Sequence, residues 1–158
     1  MAMKNEAPTV AEAMTYAHEA GHCVVARALG HHIDSVTVIP TDGAAGCTTG
    51  EGTASDMHLS LIGFAGMAAE RRLLRTMAGF KRIPMWLEAD IADRASYDLE
   101  RVADIWGGQL NAVISQSGKR SVTVRDALQH QAAGLVRRNW DDIVSLAHRL
   151  QDEGTVHF

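Results

Sequence analysis

Hydrophobic and polar positions alternate along the chain with two periods, and the helical one dominates. From Val10 to Leu29 the sequence is rich in Ala, Met and Glu and free of Pro, which predicts a helix. Thr9 stands before it as N-cap and Gly30 after it as the stop. Gly21 inside that helix costs about 1 kcal/mol relative to Ala, so it points to close packing there. Ile33 to Ile39 alternate and are rich in β-branched residues up to Pro40, a strand signal. Thr41 to Thr53, with four Gly, predicts a loop or a weak second strand around Gly46, Cys47 and Thr48.

A helical stripe resumes at Asp56 with Leu59, Ile62, Phe64, Met67 and Leu73. Ala65, Gly66, Ala68 and Ala69 leave one flank of it small enough for another helix to come close. Between Met77 and Ile91 the pattern is interrupted by Gly79 and Pro84, and no element is assigned. Ser96 is placed to cap a helix through Leu99, Val102, Ile105 and Trp106 to Gly107-Gly108, with Gln109 to Ser115 continuing it after a kink. Gly118 to Ser121 reads as a turn. Val122 to about Asp152 carries one long helical pattern through Leu128, Leu135, Val136, Ile143, Leu146 and Leu150. The fold class expected is mostly α (α+β) with a small β element: a flexible lead-in over 1–9, then a single domain over 10–158.

Composition narrows this further. The 158 residues suffice for one core, and with aromatics at 5% that core must be filled by Leu, Val, Ile, Ala and Met. Trp86, Trp106 and Trp140 read as core or interface anchors. A formal charge of −4 argues against a general nucleic-acid binder, which needs a basic surface for phosphates. Arg71-Arg72 and Arg137-Arg138 accordingly read as exposed helix faces. No stretch approaches the ~20 apolar residues of a membrane span, and no apolar segment after Met1 suggests a secretory signal. The two cysteines form no CxxC pair, which makes a reducing cytoplasm the default location.

One motif carries chemistry. His18-Glu19-Ala20-Gly21-His22 is an HExxH on the first predicted helix. Residues four apart share a helical face, so two imidazoles there can hold one Zn²⁺. Glu19, one step round, is placed to take a proton from a water on that metal during attack on a carbonyl. A metzincin continuation would need Gly at position 25 and His at 28, where this chain has Val25 and Ala28. The third ligand must therefore come from elsewhere, and spacing alone leaves Glu70, Asp98 and Glu100 open. Glu70 could instead hydrogen-bond a ligating histidine or pair with an arginine. His31 and His32, after the helix stop, read as solvent-facing, with His31 alternatively hydrogen-bonding substrate; His58, His130, His148 and His157 show no ligand spacing.

Tyr16 to His22, followed by a strand ending Val36-Thr37-Val38-Ile39-Pro40, resembles the peptidase domain of the FtsH-type membrane-anchored AAA+ zinc proteases. Ala45-Gly46-Cys47-Thr48 is similar to that family's short Gly-Tyr-Thr strand. Phe64-Ala65-Gly66-Met67-Ala68-Ala69-Glu70 is similar to its Gly-Arg-x-Ala-Glu helix, and Ala95-Ser96-Tyr97-Asp98-Leu99 to its Ala-Ser-Asn-Asp-Leu segment. Asn139-Trp140 to Leu150 and Gly154-Thr155 resemble its closing helices. The resemblance implies a zinc endopeptidase with Asp98 as third ligand, Glu19 as general base, and substrate along Gly46, Cys47 and Thr48.

The departures are Met67 and Thr41 for two family arginines, Tyr97 for an asparagine, and the absence of a GxxxxGK[ST] loop. The chain therefore looks like a stand-alone peptidase domain acting on unfolded polypeptides. A separate ATPase that delivers substrate and a homo-oligomer are left open as partners. The rival expectation is a non-catalytic peptide- or partner-binding module that keeps a structural metal.

Overall fold

A computed structural model describes residues 6–40, 47–49, 52, 54–118 and 120–158, with backbone alone for 47–49, 116 and 117. Gly46 and residues 1–5 of the expected lead-in lie outside the described residues. Among those described, six α-helices accompany two small antiparallel sheets, a mostly helical α+β fold. None of these helices is long and apolar enough to cross a membrane.

Helix α1 (Val10–Ala28) begins as its sequence dictates. The Thr9 hydroxyl accepts from the Glu12 amide while the Glu12 carboxylate accepts from the Thr9 amide, a reciprocal capping box. Gly30, at φ +88°, ends it in a conformation that only glycine adopts without strain. Strand β1 (Ser35–Thr37) is shorter than the expected Ile33–Ile39 run. It is flanked by β2 (Cys47–Thr49) on one side and β5 (Thr155–His157) on the other, in the order β2-β1-β5. Val36 pairs with Thr48 and Val156, and Val36 and Val156 are fully buried.

Helix α2 (Asp56–Thr76) is capped by the Ser55 hydroxyl and packs along α1. The small-residue flank does what its composition suggests. A Cβ on Gly21 would stand 2.8 Å from Ala69 Cβ and 2.9 Å from the Ala65 carbonyl oxygen. Gly21→Ala tests the balance: Ala gains about 1 kcal/mol in helix propensity, against about 1–3 kcal/mol for overpacking. Because one obstructing atom is backbone, the overpacking cost wins, and a lower urea midpoint at unchanged slope is expected.

Helices α3 (Met85–Arg94) and α4 (Ser96–Trp106) meet at a corner formed by Ala95 alone, and a 3₁₀ turn (Gly107–Asn111) follows. Ser96 lies inside α4, and no side chain caps that helix. The segment left unassigned in sequence is α3. Its buried face is Leu87 and Ile91 only, too thin a stripe to register, and Trp86 is 63% exposed rather than a core anchor.

Of the helix expected over Gln109–Ser115, only Gln109–Asn111 is helical, within the 3₁₀ turn; from Val113 the chain forms a hairpin of β3 (Val113–Ser117) and β4 (Arg120–Thr123) turning at Gly118, φ +58°. The β-branched pairs Val113-Ile114 and Val122-Thr123 favour strands over a continued helix. The single helix expected from Val122 divides into α5 (Val124–Arg138) and α6 (Trp140–Glu153) at Asn139. The Asn139 side chain and backbone amide both donate to the Leu135 carbonyl, which ends α5 locally and reorients the chain without Gly or Pro.

Two apolar clusters, bridged by Leu29, Leu73 and Leu135, make a continuous interior. Phe64 is the one aromatic fully buried among the described residues, so Leu, Val, Ile, Ala and Met do fill the core.

Candidate metal centre

The centre forms where α1 crosses α2 and the N-terminal turn of α4 reaches both. One turn of α1 carries His18 and His22 on the same face, their rings edge-to-face with centroids 4.5 Å apart. Gly66 of α2 makes room for them: a Cβ there would come within 2.7 Å of the His18 ring and 2.8 Å of the His22 ring. Asp98, in the first turn of α4, brings a carboxylate oxygen to 3.2 Å from His18 Nε2 and 3.1 Å from His22 Nε2.

The other ring nitrogens fix which atoms face inward. His22 Nδ1 lies 2.7 Å from the Ile62 carbonyl, which can only accept, so Nδ1 carries the proton and Nε2 presents a lone pair. His18 Nδ1 donates to the Glu70 carboxylate, so in the neutral ring its Nε2 likewise presents a lone pair. The two Nε2 atoms are 2.9 Å apart. Three acceptors converging at such distances repel one another unless a positive charge lies among them. A tetrahedral ion with bonds of 2.0–2.1 Å spaces its ligand atoms about 3.3 Å apart, close to what is found. The donor set fits a divalent cation, and His18, His22 and Asp98 are the one such group among the described residues.

Electrostatics follow the same geometry. Burial opposes charge on Asp98, but its bonds to His18 and His22 prevail and hold the carboxyl well below the usual range. Burial likewise opposes protonating His18, yet Asp98 and Glu70 together raise it to about 9. A proton on His18 and a cation thus compete for one place. The sign is definite for the chelator-treated protein. A histidine raised from 6.5 contributes stability that is full below about pH 6.5 and lost as pH rises through about 9. Denaturation of that form should therefore become easier across this interval, and metal affinity should rise over it.

Glu19 is buried beside the two histidines and makes no hydrogen bond among the described residues. Burial is the largest influence on it and raises its carboxyl above the ordinary value, with His22 and His18 pulling back only in part. Such a group is poised to accept and return a proton.

Glu70 is fully buried and takes both roles weighed for it other than ligand. One oxygen accepts from His18 Nδ1 and the other from Arg94 Nε at 3.0 Å. Glu100 is exposed and outside the metal-ligand group, so it is set aside as third ligand. The backbone of Cys47 and Thr48 lies in β2, at one edge of the sheet beside α1. Arg94 went unnoticed in sequence, although it stands four residues before Asp98 across the Ala95 corner. The Ile62 carbonyl could not have been noticed, since a backbone group leaves no residue signature. His31 does not stand alone in solvent: its Nε2 is 2.8 Å from Nδ1 of His58, a residue to which spacing gave no role. Cys23 is buried and unpaired, its thiol pushed up to about 11 by burial, so it contributes packing rather than chemistry.

Compared with known families and with curated proteins, the chain matches none.

Proposed function

We propose that this chain is a zinc-dependent endopeptidase that hydrolyses unfolded or flexible polypeptides. The observation that carries the reading is the convergence of His18 Nε2, His22 Nε2 and an Asp98 oxygen, with the buried Glu19 carboxylate beside the histidines and outside that ligand group. A purely structural metal has no use for Glu19 in that position.

His18, His22 and Asp98 would hold the ion, and Zn²⁺ suits two imidazoles with one carboxylate. When bound, the ion would supply a Lewis acid for the scissile carbonyl and acidify a water for attack. Glu19 takes the proton of the attacking water, a step that its raised carboxyl pKa favours, and hands it to the departing amine. Glu70 and Ile62 hold the two imidazoles in the tautomer that directs Nε2 inward. An extended substrate would add to the outer edge of β2, where main-chain pairing selects flexible segments over folded ones.

The test is cleavage of a permanently unfolded, fluorescently labelled polypeptide, with metal content measured on the same sample. One ion per chain is expected, with cleavage abolished by a chelator and restored by Zn²⁺. One bound ion with no cleavage would favour the non-catalytic binding module, and a chain that binds no metal would remove both readings.

A further inference from the structure

Positive charge collects in the groove between α2 and α5, although the chain as a whole has a formal net charge of −4. A cavity of about 210 Å³ opens there, lined by Arg71, Arg72, Arg75 and Arg137. Only Arg71 has a carboxylate partner among the described residues: its Nη2 is 2.9 Å from Glu88. Arg75 and Arg137 stand exposed at the rim without one. The Arg72 guanidinium lies 5.2 Å from the centroid of the Trp140 ring, and its Nε is fully buried with no hydrogen-bond partner.

That nitrogen is the informative one. A buried N–H of a charged group without an acceptor is unfavourable, so Arg72, which lines the cavity, carries a charge that the described residues leave uncompensated. The planar guanidinium fork matches the oxygens of phosphate and can engage two of them at once. Three unpaired guanidiniums call for more negative charge than one carboxylate brings. The remaining wall is partly apolar, with Ala68 and Ala133 at the surface between the helices. Thr76 and Gln129 add neutral donors at its edge.

We infer that this groove binds a phosphate-bearing small molecule, its phosphate among Arg72, Arg75 and Arg137 and its organic part against Ala68 and Ala133. The site is separate from the metal centre and independent of any peptidase activity.

Inorganic phosphate and phenyl phosphate, each titrated into the full chain at fixed pH and ionic strength with sodium chloride as balance, supply the test. Arginine Nε–H resonances in ¹H–¹⁵N spectra report it, and the buried Arg72 Nε–H should exchange slowly enough to be followed. Both probes should shift the Arg72 resonance saturably, with phenyl phosphate at least fivefold tighter. Arg75→Gln and Arg137→Gln, both at exposed positions, should each weaken binding at least tenfold. Arg72→Gln should do the same as read on Arg75. Arg149→Gln, on α6, should leave affinity unchanged. A shift that never saturates, or an equal response in the Arg75, Arg137 and Arg149 variants, would overturn the site. Equal affinity for the two probes would overturn the apolar half and leave a free-phosphate site.

Discussion

Glu19→Gln should lower peptide hydrolysis by about 10²–10⁴-fold and leave bound zinc in place. Gln matches Glu in size and can still hydrogen-bond a water, but it cannot accept that water's proton. His18, His22 and Asp98 do not depend on Glu19 for their orientation, since Glu70 and Ile62 hold the rings from behind. Stability should move the other way. A carboxyl whose pKa is raised by burial penalises the folded state once it ionises, and that penalty grows as pH rises above the ordinary glutamate value. Gln removes it, so with both proteins chelator-treated the variant should melt at a higher temperature than the parent at neutral pH. An inactive protein with stoichiometric zinc that is more stable than the parent once both are stripped of metal is the combined signature. Cleavage retained in this variant would sink the mechanism whatever its melting point.

Glu70→Ala should damage both the fold and the centre. The side chain is fully buried and joins His18 to Arg94, so its removal strands one imidazole N–H and one guanidinium. Breaking a buried pair by deleting one partner costs about 3–5 kcal/mol. Arg94 keeps 27% of its side chain exposed and can turn to water, which favours the lower end of that range. Zinc affinity should fall about 10–100-fold, as for other groups that orient a metal-bound histidine. Glu70→Gln separates the two effects. It preserves an acceptor for His18 Nδ1 while leaving Arg94 without a counter-charge, so affinity should recover further than stability. Competition with a chromophoric chelator measures the first and urea denaturation the second. If Glu70→Ala holds zinc as tightly as the parent, the orienting role is lost.

Local chemistry was the readable part of the sequence. Thr9 with Glu12, Gly30 and the HExxH spacing act within a few residues, so α1 and the shared face of His18 and His22 follow from the chain directly. The mostly helical class follows from the 3.6-residue stripe through Phe64, Met67, Ile143 and Leu150, all buried. Less local facts were not readable. β5 makes sense only beside β1, which precedes it by more than 100 residues, and nothing in Thr155-Val156-His157 announces it. The hairpin strand β3 is exposed at Val113, Ile114 and Ser115, so no burial alternation marks its start. Position 98 was one of three acidic candidates by spacing, because the distance between helices is not written in either of them. Arg94 was invisible for the same reason: its partner is 24 residues away.

That separation has a temporal consequence. His18 lies 52 residues from Glu70 and 80 from Asp98, so the centre depends on some of the most distant contacts in the chain. Closing such loops costs entropy that only the packed interior repays, and contacts of this range form late in folding. A newly made copy passes through states in which it is an extended polypeptide with no assembled centre. If the chain is the peptidase of unfolded polypeptides proposed above, that copy would be substrate first and enzyme afterwards. Under the proposed function, its survival would depend on folding faster than finished neighbours can capture it.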